Sequence, residues 1–333
     1  MKYKNIIVDS VMHLGDLIQA STVATLLKKL YPGAKVTFLV QDGLQSALSL
    51  CQDVDDIIPY KYKSGGDVLN VFRYAKKIKA YNFDLSISLD PRVRLSAMMW
   101  LAGIPTRVGS PSVFGWKPDA ARYFFNRYID FKDYDYSSQP AAFNFQQLVL
   151  RFAGEENNPV YMKHIIPRFR NSTPDEETAI KDFLQQDNNQ EQDIQNLKVA
   201  FCVNTVSSDR NWPVNNFAEI INRLLASSNA QIFFVGVKQD LERAQAILNM
   251  VEERSRVINL CGKTSLAELN ALFRKLDFML GLDNGLGHFA AASGCPTITI
   301  FATVDPGKYR PLIDTGICLK GFAEDSKLSA PPY

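Results

Sequence analysis

Two α/β units, each a parallel sheet covered on both faces by helices, are the architecture this sequence predicts. Short β-branched runs alternate with amphipathic helical stretches along the chain, the pattern of doubly wound parallel sheets. The 333 residues are too many for one ordinary core and suit two domains. A polar, proline-containing stretch at residues 154–175 interrupts the series near its middle, which divides the chain into units at 1–165 and 170–333.

Strand candidates lie at residues 5–8, 35–40, 85–89, 198–203, 231–235, 257–260, 278–282 and 297–301. Helical patterns fall at 17–30, 94–102, 216–226, 240–251 and 266–275. Thr173-Pro174 with Glu176, and Ser265 with Glu268, have capping-box spacing at helix starts. The stretch 185–196, "QQDNNQEQDIQN", reads as an exposed polar loop. Ligands of such sheets bind outside the carboxyl ends of the strands, so two units facing a central cleft are expected to hold the site between them.

A hydrophobic content of 46% and a charged content of 22% are those of a soluble globular protein. No apolar run reaches the length of a bilayer span, and "MKYKNIIVDS" does not read as a signal peptide. The five cysteines are scattered without C-x-x-C spacing, which predicts reduced thiols, a cytoplasmic setting and no structural zinc. Net charge is +2, but residues 1–170 carry 22 basic against 15 acidic side chains and the remainder 15 against 20. That asymmetry suits an anionic partner for the first half or, equally, solvated helix faces. Nucleic acid is not expected, for no dense basic run is interleaved with aromatics.

The first strand leads into "VDSVMHLGDLIQAS", where Gly15 is the lone glycine, so the dinucleotide fingerprint is missing and a nicotinamide or flavin enzyme is disfavoured. Asp16 stands at a helix opening, either as a cap favoured by the helix dipole or as a general base for an incoming hydroxyl, with His13 the competing base. "VNTVSSDRNWP" presents a polar loop of Ser207, Ser208, Asp209, Arg210 and Asn211; Arg210 is either a phosphate ligand or a surface side chain. Asp240 follows a glycine turn and suits ribose hydroxyls or a helix cap. In "GLDNGLGHFAAASG", residues 281–294, Gly285 and Gly287 allow close backbone approach and the following helix offers N–H groups to a pyrophosphate. His288 is placed to donate to a phosphate oxygen, and Asp283 to face a sugar hydroxyl or cap the turn. "DVDD" (53–56) and "DYD" (133–135) have the look of metal-binding carboxylates, but neither sits at a glycine turn after a long strand, and 51–60 reads as a helix-to-strand loop; no metal or cofactor is expected.

"HLGDLIQASTVATLLKKLYPGAKVTFLV", "DRNWPVNNFAEII" and "GLDNGLGHFAAASGCPTITIFATVDPGKYRP", in that order, resemble the ADP-heptose:lipopolysaccharide heptosyltransferases of glycosyltransferase family 9. The resemblance runs from residue 1 to about 310. It implies a GT-B fold, an acceptor-binding first unit, a nucleotide-sugar-binding second unit, and metal-independent, inverting transfer. By position it implies Asp16 as the catalytic base, Arg210 on the donor phosphates and Asp240 on the ribose. Asp283, Asn284, Gly285, Leu286, Gly287 and His288 then form the donor turn, with His13, Arg92 and Arg94 toward the acceptor. Asn284 and Gly287 stand where the family usually has Thr and Ser, removing two hydroxyls, and Arg92 and Arg94 stand where relatives often carry Lys. The donor sugar is therefore left open, as is a relative that binds nucleotide-sugar without transfer. The tail after "DPGKYRP" departs from the family's closing helix pattern. Family acceptors are anionic lipid-linked saccharides at the cytoplasmic face of the inner membrane. The implied partners are thus an ADP-linked sugar and an anionic glycolipid, with peripheral membrane contact through a basic half that includes Lys61, Lys63, Lys76, Lys77, Arg92, Arg94, Arg107 and Arg122.

Overall fold

The computed structural model describes residues 2–61, 68–110, 120–131, 134–135, 138–184, 197–205, 210–321 and 328–329. Lys63, Asp133, the stretch 185–196, Ser207, Ser208 and Asp209 lie outside the described residues. The chain forms two compact units, Met1–Pro167 and Arg168–Tyr333.

The first unit is a parallel sheet of β1 (Asn5–Ser10), β2 (Lys35–Gln41), β3 (Asp56–Tyr60), β4 (Leu85–Ser88), β5 (Thr106–Gly109) and β6 (Arg127–Tyr128). Their spatial order is β3-β2-β1-β4-β5-β6. Around them run α1 (Leu14–Ala20), α2 (Thr22–Leu30), α3 (Gln45–Leu48), α4 (Val68–Lys79), α5 (Val93–Leu101) and α6 (Ala141–Ala153). Strand residues alternate between faces. Ile7, Leu39 and Ile58 pack against Tyr74 and Ile78 of α4 and Leu95 and Met98 of α5, while α1 and α2 pack on α6.

The second unit opens with α7 (Pro174–Leu184) and continues with β7 (Lys198–Cys202), α8 (Val214–Ser227), β8 (Gln231–Phe234), α9 (Leu241–Leu248), β9 (Val257–Asn259) and α10 (Leu266–Phe273). It then runs through β10 (Phe278–Leu282), α11 (Gly285–Ser293), β11 (Thr297–Phe301), α12 (Pro306–Tyr309), β12 (Ile317–Gly321) and β13 (Leu328–Ser329). Strand order is β13-β12-β11-β10-β7-β8-β9, parallel except for β13. Val199 and Phe201 pack against Phe217 and Ile221 of α8 and Ala244 and Ile247 of α9. Both capping boxes form: Thr173 N–H donates to Glu176 at 2.9 Å and Ser265 N–H to Glu268 at 2.7 Å.

Omitting β13, each unit has the order 3-2-1-4-5-6 in its own strands. The winding therefore reverses beside the first strand, between β1 and β4 and between β7 and β10. Loops leaving the carboxyl ends of these strands splay apart there and leave a crevice for ligand.

Two local expectations are corrected. Residues 51–60 are not all loop, because Asp56–Tyr60 is β3; its Pro59 is tolerated since β3 is an edge strand. The helix expected at 17–30 begins at Leu14 and is split at Ser21. There the hydroxyls of Ser21 and Thr22 donate to the carbonyls of Ile18 and Gln19 at 2.6 and 2.8 Å, and such back-bonding bends a helix. The tail holds the strand Ile317–Gly321, paired in parallel with β11.

Candidate active site

In the first unit, the sequence-predicted residues gather where β1 and β4 end. His13 is exposed at the N-cap position of α1, without a side-chain cap bond. Asp16 is the third residue of that helix, half-buried, in the first turn and not at the cap. Arg92 holds the N-cap position of α5 and Arg94 lies one turn-step inside. Arg92 is turned inward: its Nε donates to Asp90 Oδ1 at 2.7 Å and its Nη2 to the carbonyl of Val11 at 2.8 Å. Asp16, Arg92 and Arg94 all act electrostatically on Asp90, so one field joins the four. Burial pushes Asp90 up to about 6 against the pull of the two arginines.

In the second unit, the β7/β10 switch point is held by a network that the sequence reading did not see. Asn204, just after β7, donates from Nδ2 to Asp240 Oδ1 at 2.8 Å and accepts from Asn211 Nδ2 at 2.8 Å. Its backbone carbonyl accepts from Asn284 Nδ2 at 2.7 Å. Two loops distant in sequence, those before α9 and α11, thus converge on one asparagine of the loop after β7. Asp240 is buried, and its Oδ2 accepts from the Val237 N–H at 2.8 Å, which fixes the turn before α9. Arg243 bonds the carbonyls of Val203 and Trp212 from behind.

Asn284 is the N-cap of α11: its Oδ1 accepts from Leu286 N at 2.9 Å and Gly287 N at 3.2 Å. Two of the N–H groups expected to face a phosphate are therefore already bonded within the protein. Gly285 and Leu286 are half-buried and Gly287 is buried. A Cβ on Gly287 would stand 3.3 Å from Pro311 Cγ, so a side chain there presses on the loop after α12. Arg210 and Asp283 form an ion pair at 3.3 Å, both partly exposed. His288 is buried; desolvation pushes its imidazole down to about 4, against a hydrogen bond to the Tyr309 backbone, so the ring is neutral at neutral pH. A neutral imidazole has one N–H, here engaged with the Tyr309 backbone, so the ring brings a phosphate no charge and no further donor.

The remaining acidic motif has structural partners. Asp53 accepts from Thr25 Oγ1 at 2.6 Å, Asp55 from Lys28 Nζ and Val36 N, and Asp56 pairs with Lys35. Among the described residues, no cluster of His, Cys, Asp or Glu suits a metal ion. All five cysteines are free and buried, and burial pushes the thiols of Cys51, Cys202, Cys261 and Cys295 up to about 12. Among the described residues, no helix is long and apolar enough to cross a membrane.

Two sheets of Rossmann strand order joined in one chain, each with polar side chains at its switch point, define the GT-B class of glycosyltransferase fold. Residues 71–328 match the model of glycosyltransferase family 9 (heptosyltransferase), and the chain belongs to that family of glycosyltransferases. It is 24% identical over 304 residues to the lipopolysaccharide core heptosyltransferase OpsX of Haemophilus influenzae, covering 90% of this chain and 79% of that one. The crystal structure of a family 9 glycosyl transferase from Veillonella parvula superimposes with TM-score 0.80 at 22% identity, covering 96% of this chain and 87% of the other. The E. coli ADP-heptose lps heptosyltransferase II superimposes with TM-score 0.78 at 18% identity, over 97% and 92%.

Proposed function

We propose that this glycosyltransferase moves heptose from ADP-heptose to a lipopolysaccharide-core-type acceptor, with inversion and without a metal ion. The observation that carries the reading is the gathering of polar side chains at both switch points, Asp16 with Arg92 and Arg94 in the first unit and Arg210, Asp240 and Asp283 in the second. The names of the relatives supply the sugar and the acceptor class.

In this reading the first unit receives the acceptor and the second the donor. The Asp16 carboxylate takes the proton of an acceptor hydroxyl, whose oxygen attacks the anomeric carbon. The bond from that carbon to the β-phosphate oxygen breaks, and ADP leaves carrying the electron pair. Arg210 offers its guanidinium to the diphosphate, exchanging part of its pairing with Asp283, and the Gly285 N–H adds a dipolar donor, while His288 braces the turn through its bond to the Tyr309 backbone. Asp240 is placed for ribose hydroxyls, using lone pairs beyond the two already engaged by Asn204 and Val237.

The acceptor is an anionic glycolipid, met at the cytoplasmic face of the inner membrane. Helix α4 supports this: Val68, Leu69 and Phe72 are 63%, 80% and 54% exposed, next to exposed Arg73, Lys76, Lys77 and Lys79. An apolar edge flanked by cations suits a bilayer of anionic lipid.

Calorimetric titration with ADP, UDP, GDP and dTDP, with and without EDTA, tests the donor. Selective ADP binding unchanged by EDTA is expected; binding of none of the four would favour a relative without transfer activity. Asp16→Asn, which retains shape but not basicity, should lower kcat by about a hundredfold or more while ADP affinity stays within about twofold. Near-normal turnover in that variant would remove Asp16 from the role of base.

A further inference from the structure

Asp9 lies near the end of β1 and is fully buried, an unusual place for a carboxyl group in the centre of a parallel sheet. Its Oδ1 accepts from Ser88 Oγ at 3.0 Å and from the Asp90 N–H at 3.3 Å. Register accounts for this approach, because Asp9 stands opposite Ser88 across the β1–β4 ladder. The second carboxyl, Asp90, is likewise buried, and its Oδ1 holds Arg92 Nε. The remaining oxygens, Asp9 Oδ2 and Asp90 Oδ2, are both buried and have no hydrogen-bond partner. Arg92 completes the chain by donating to the Val11 carbonyl, in the loop that leads from β1 to Asp16.

A carboxylate only accepts hydrogen bonds, so a buried oxygen without a donor disfavours the ionised form, and two such acids in neighbouring strands favour one retained proton. We propose that Asp9 and Asp90 act as a positioning pair that retains one proton and, through Arg92, fixes the turn carrying Asp16. The charged groups around the pair are Asp16 from α1 and Arg92 and Arg94 from α5; Ser88 adds a hydroxyl donor from β4. Burial raises both acids and repulsion from Asp90 raises Asp9 further, while Arg92 favours ionised Asp90. Because Asp90 carries the bond to Arg92, the retained proton falls to Asp9 and Asp90 is the ionised member. Loss of that proton in alkali leaves two buried like charges, which loosens Arg92 from Val11.

The kinetic arm of the test rests on the transfer reaction proposed above, whereas two structural arms do not. Asp9 in the folded chain holds its proton above the ordinary value of 3.8. Stability is thus lost as pH rises from that value through the folded-state pKa. In Asp9→Asn, which retains a donor and cannot ionise, the fall in Tm across about pH 5 to 9 should be shallower than in wild type. Hydrogen exchange of the amides from Val11 to Leu17 should quicken in wild type on raising pH beyond the intrinsic base catalysis, in Asp9→Leu at every pH, and not in Asp9→Asn. In transfer assays, Asp9→Leu should lower kcat about tenfold or more with KM little changed, and Asp9→Asn should recover most of that loss and flatten the alkaline limb. An Asp9→Asn profile of Tm against pH parallel to wild type overturns the retained proton. Unchanged exchange at residues 11–17 in Asp9→Leu overturns the positioning. A wild-type protein without transfer activity removes the proposed function alone and leaves both structural arms readable.

Discussion

Asn204 is the side chain on which the donor-side loops depend most. Replacing it by alanine deprives Asp240, across two loops, and Asn211, within the β7–α8 loop, of a partner. A lost bond of this kind costs about 1–3 kcal/mol where the abandoned group is shielded from water. Asn204→Asp should be worse than Asn204→Ala, since it sets a carboxylate against Asp240 in place of an amide donor. Chemical denaturation and ADP titration of both variants check the order; equal behaviour would mean that the loops are held by other bonds. Nothing in the sequence marked this residue, because an asparagine after a strand is ordinary and its importance arises from partners 36 and 80 positions away. For Arg92 the resemblance implies a place toward the acceptor, and its inward bonds to Asp90 and Val11 add a bracing role that no sequence signal marks. Arg210 and Asp283 were each read singly, and their pairing depends on two strand ends 73 residues apart coming together.

Elements with strong local signals were readable to within a residue or two. Phe278–Leu282 and Thr297–Phe301 were predicted with their observed bounds, being continuous apolar runs between turn residues. Both capping boxes formed because their residues are three apart and need no tertiary help. The weak elements were Asp56–Tyr60, which carries a proline, and the two-residue strand Arg127–Tyr128, too short for any period. Helix α4 is not among the helical patterns read from the sequence, and its solvent-facing apolar edge was unmarked too, since Val68, Leu69 and Phe72 would ordinarily be assigned to the core. Changing Leu69 and Phe72 together to glutamate should reduce cosedimentation with phosphatidylglycerol vesicles about tenfold and leave binding to neutral vesicles weak throughout. Retained affinity for the anionic vesicles would place membrane contact elsewhere on the basic half.

Across the whole molecule, the two units respond to pH in opposite senses. In the second, His288 binds its proton only near pH 4 when folded, whereas in the unfolded chain it does so at its ordinary value of 6.5. The unfolded state therefore takes up a proton first as pH falls, and His288 withdraws a few kcal/mol of stability between these values. In the first unit, Asp9 and Asp90 withdraw stability as pH rises. Calorimetric scans of wild type and His288→Gln should give melting curves whose separation changes steadily between about pH 6.5 and 4.5, the variant losing less. A separation independent of pH would mean that the folded ring titrates as it does in the unfolded chain. Such opposition was beyond reach of the sequence, where His288 and Asp9 appear as ordinary titratable residues and their enclosure belongs to the packed sheets alone.

The placement of β1 at the middle of its sheet also governs how the chain emerges during synthesis. The strands β1, β2 and β3 can pair among themselves as soon as residue 60 is free, but β4, which covers the other side of β1, begins only at Leu85. At about 5–20 residues per second, that side stays an open ladder of N–H and C=O groups for a second or more, and any stall prolongs it. The same delay recurs between β7 and β10. The strand most deeply enclosed in the finished protein is the one whose edge waits longest for its neighbour, and a chain cut between these points displays a ready template for aggregation.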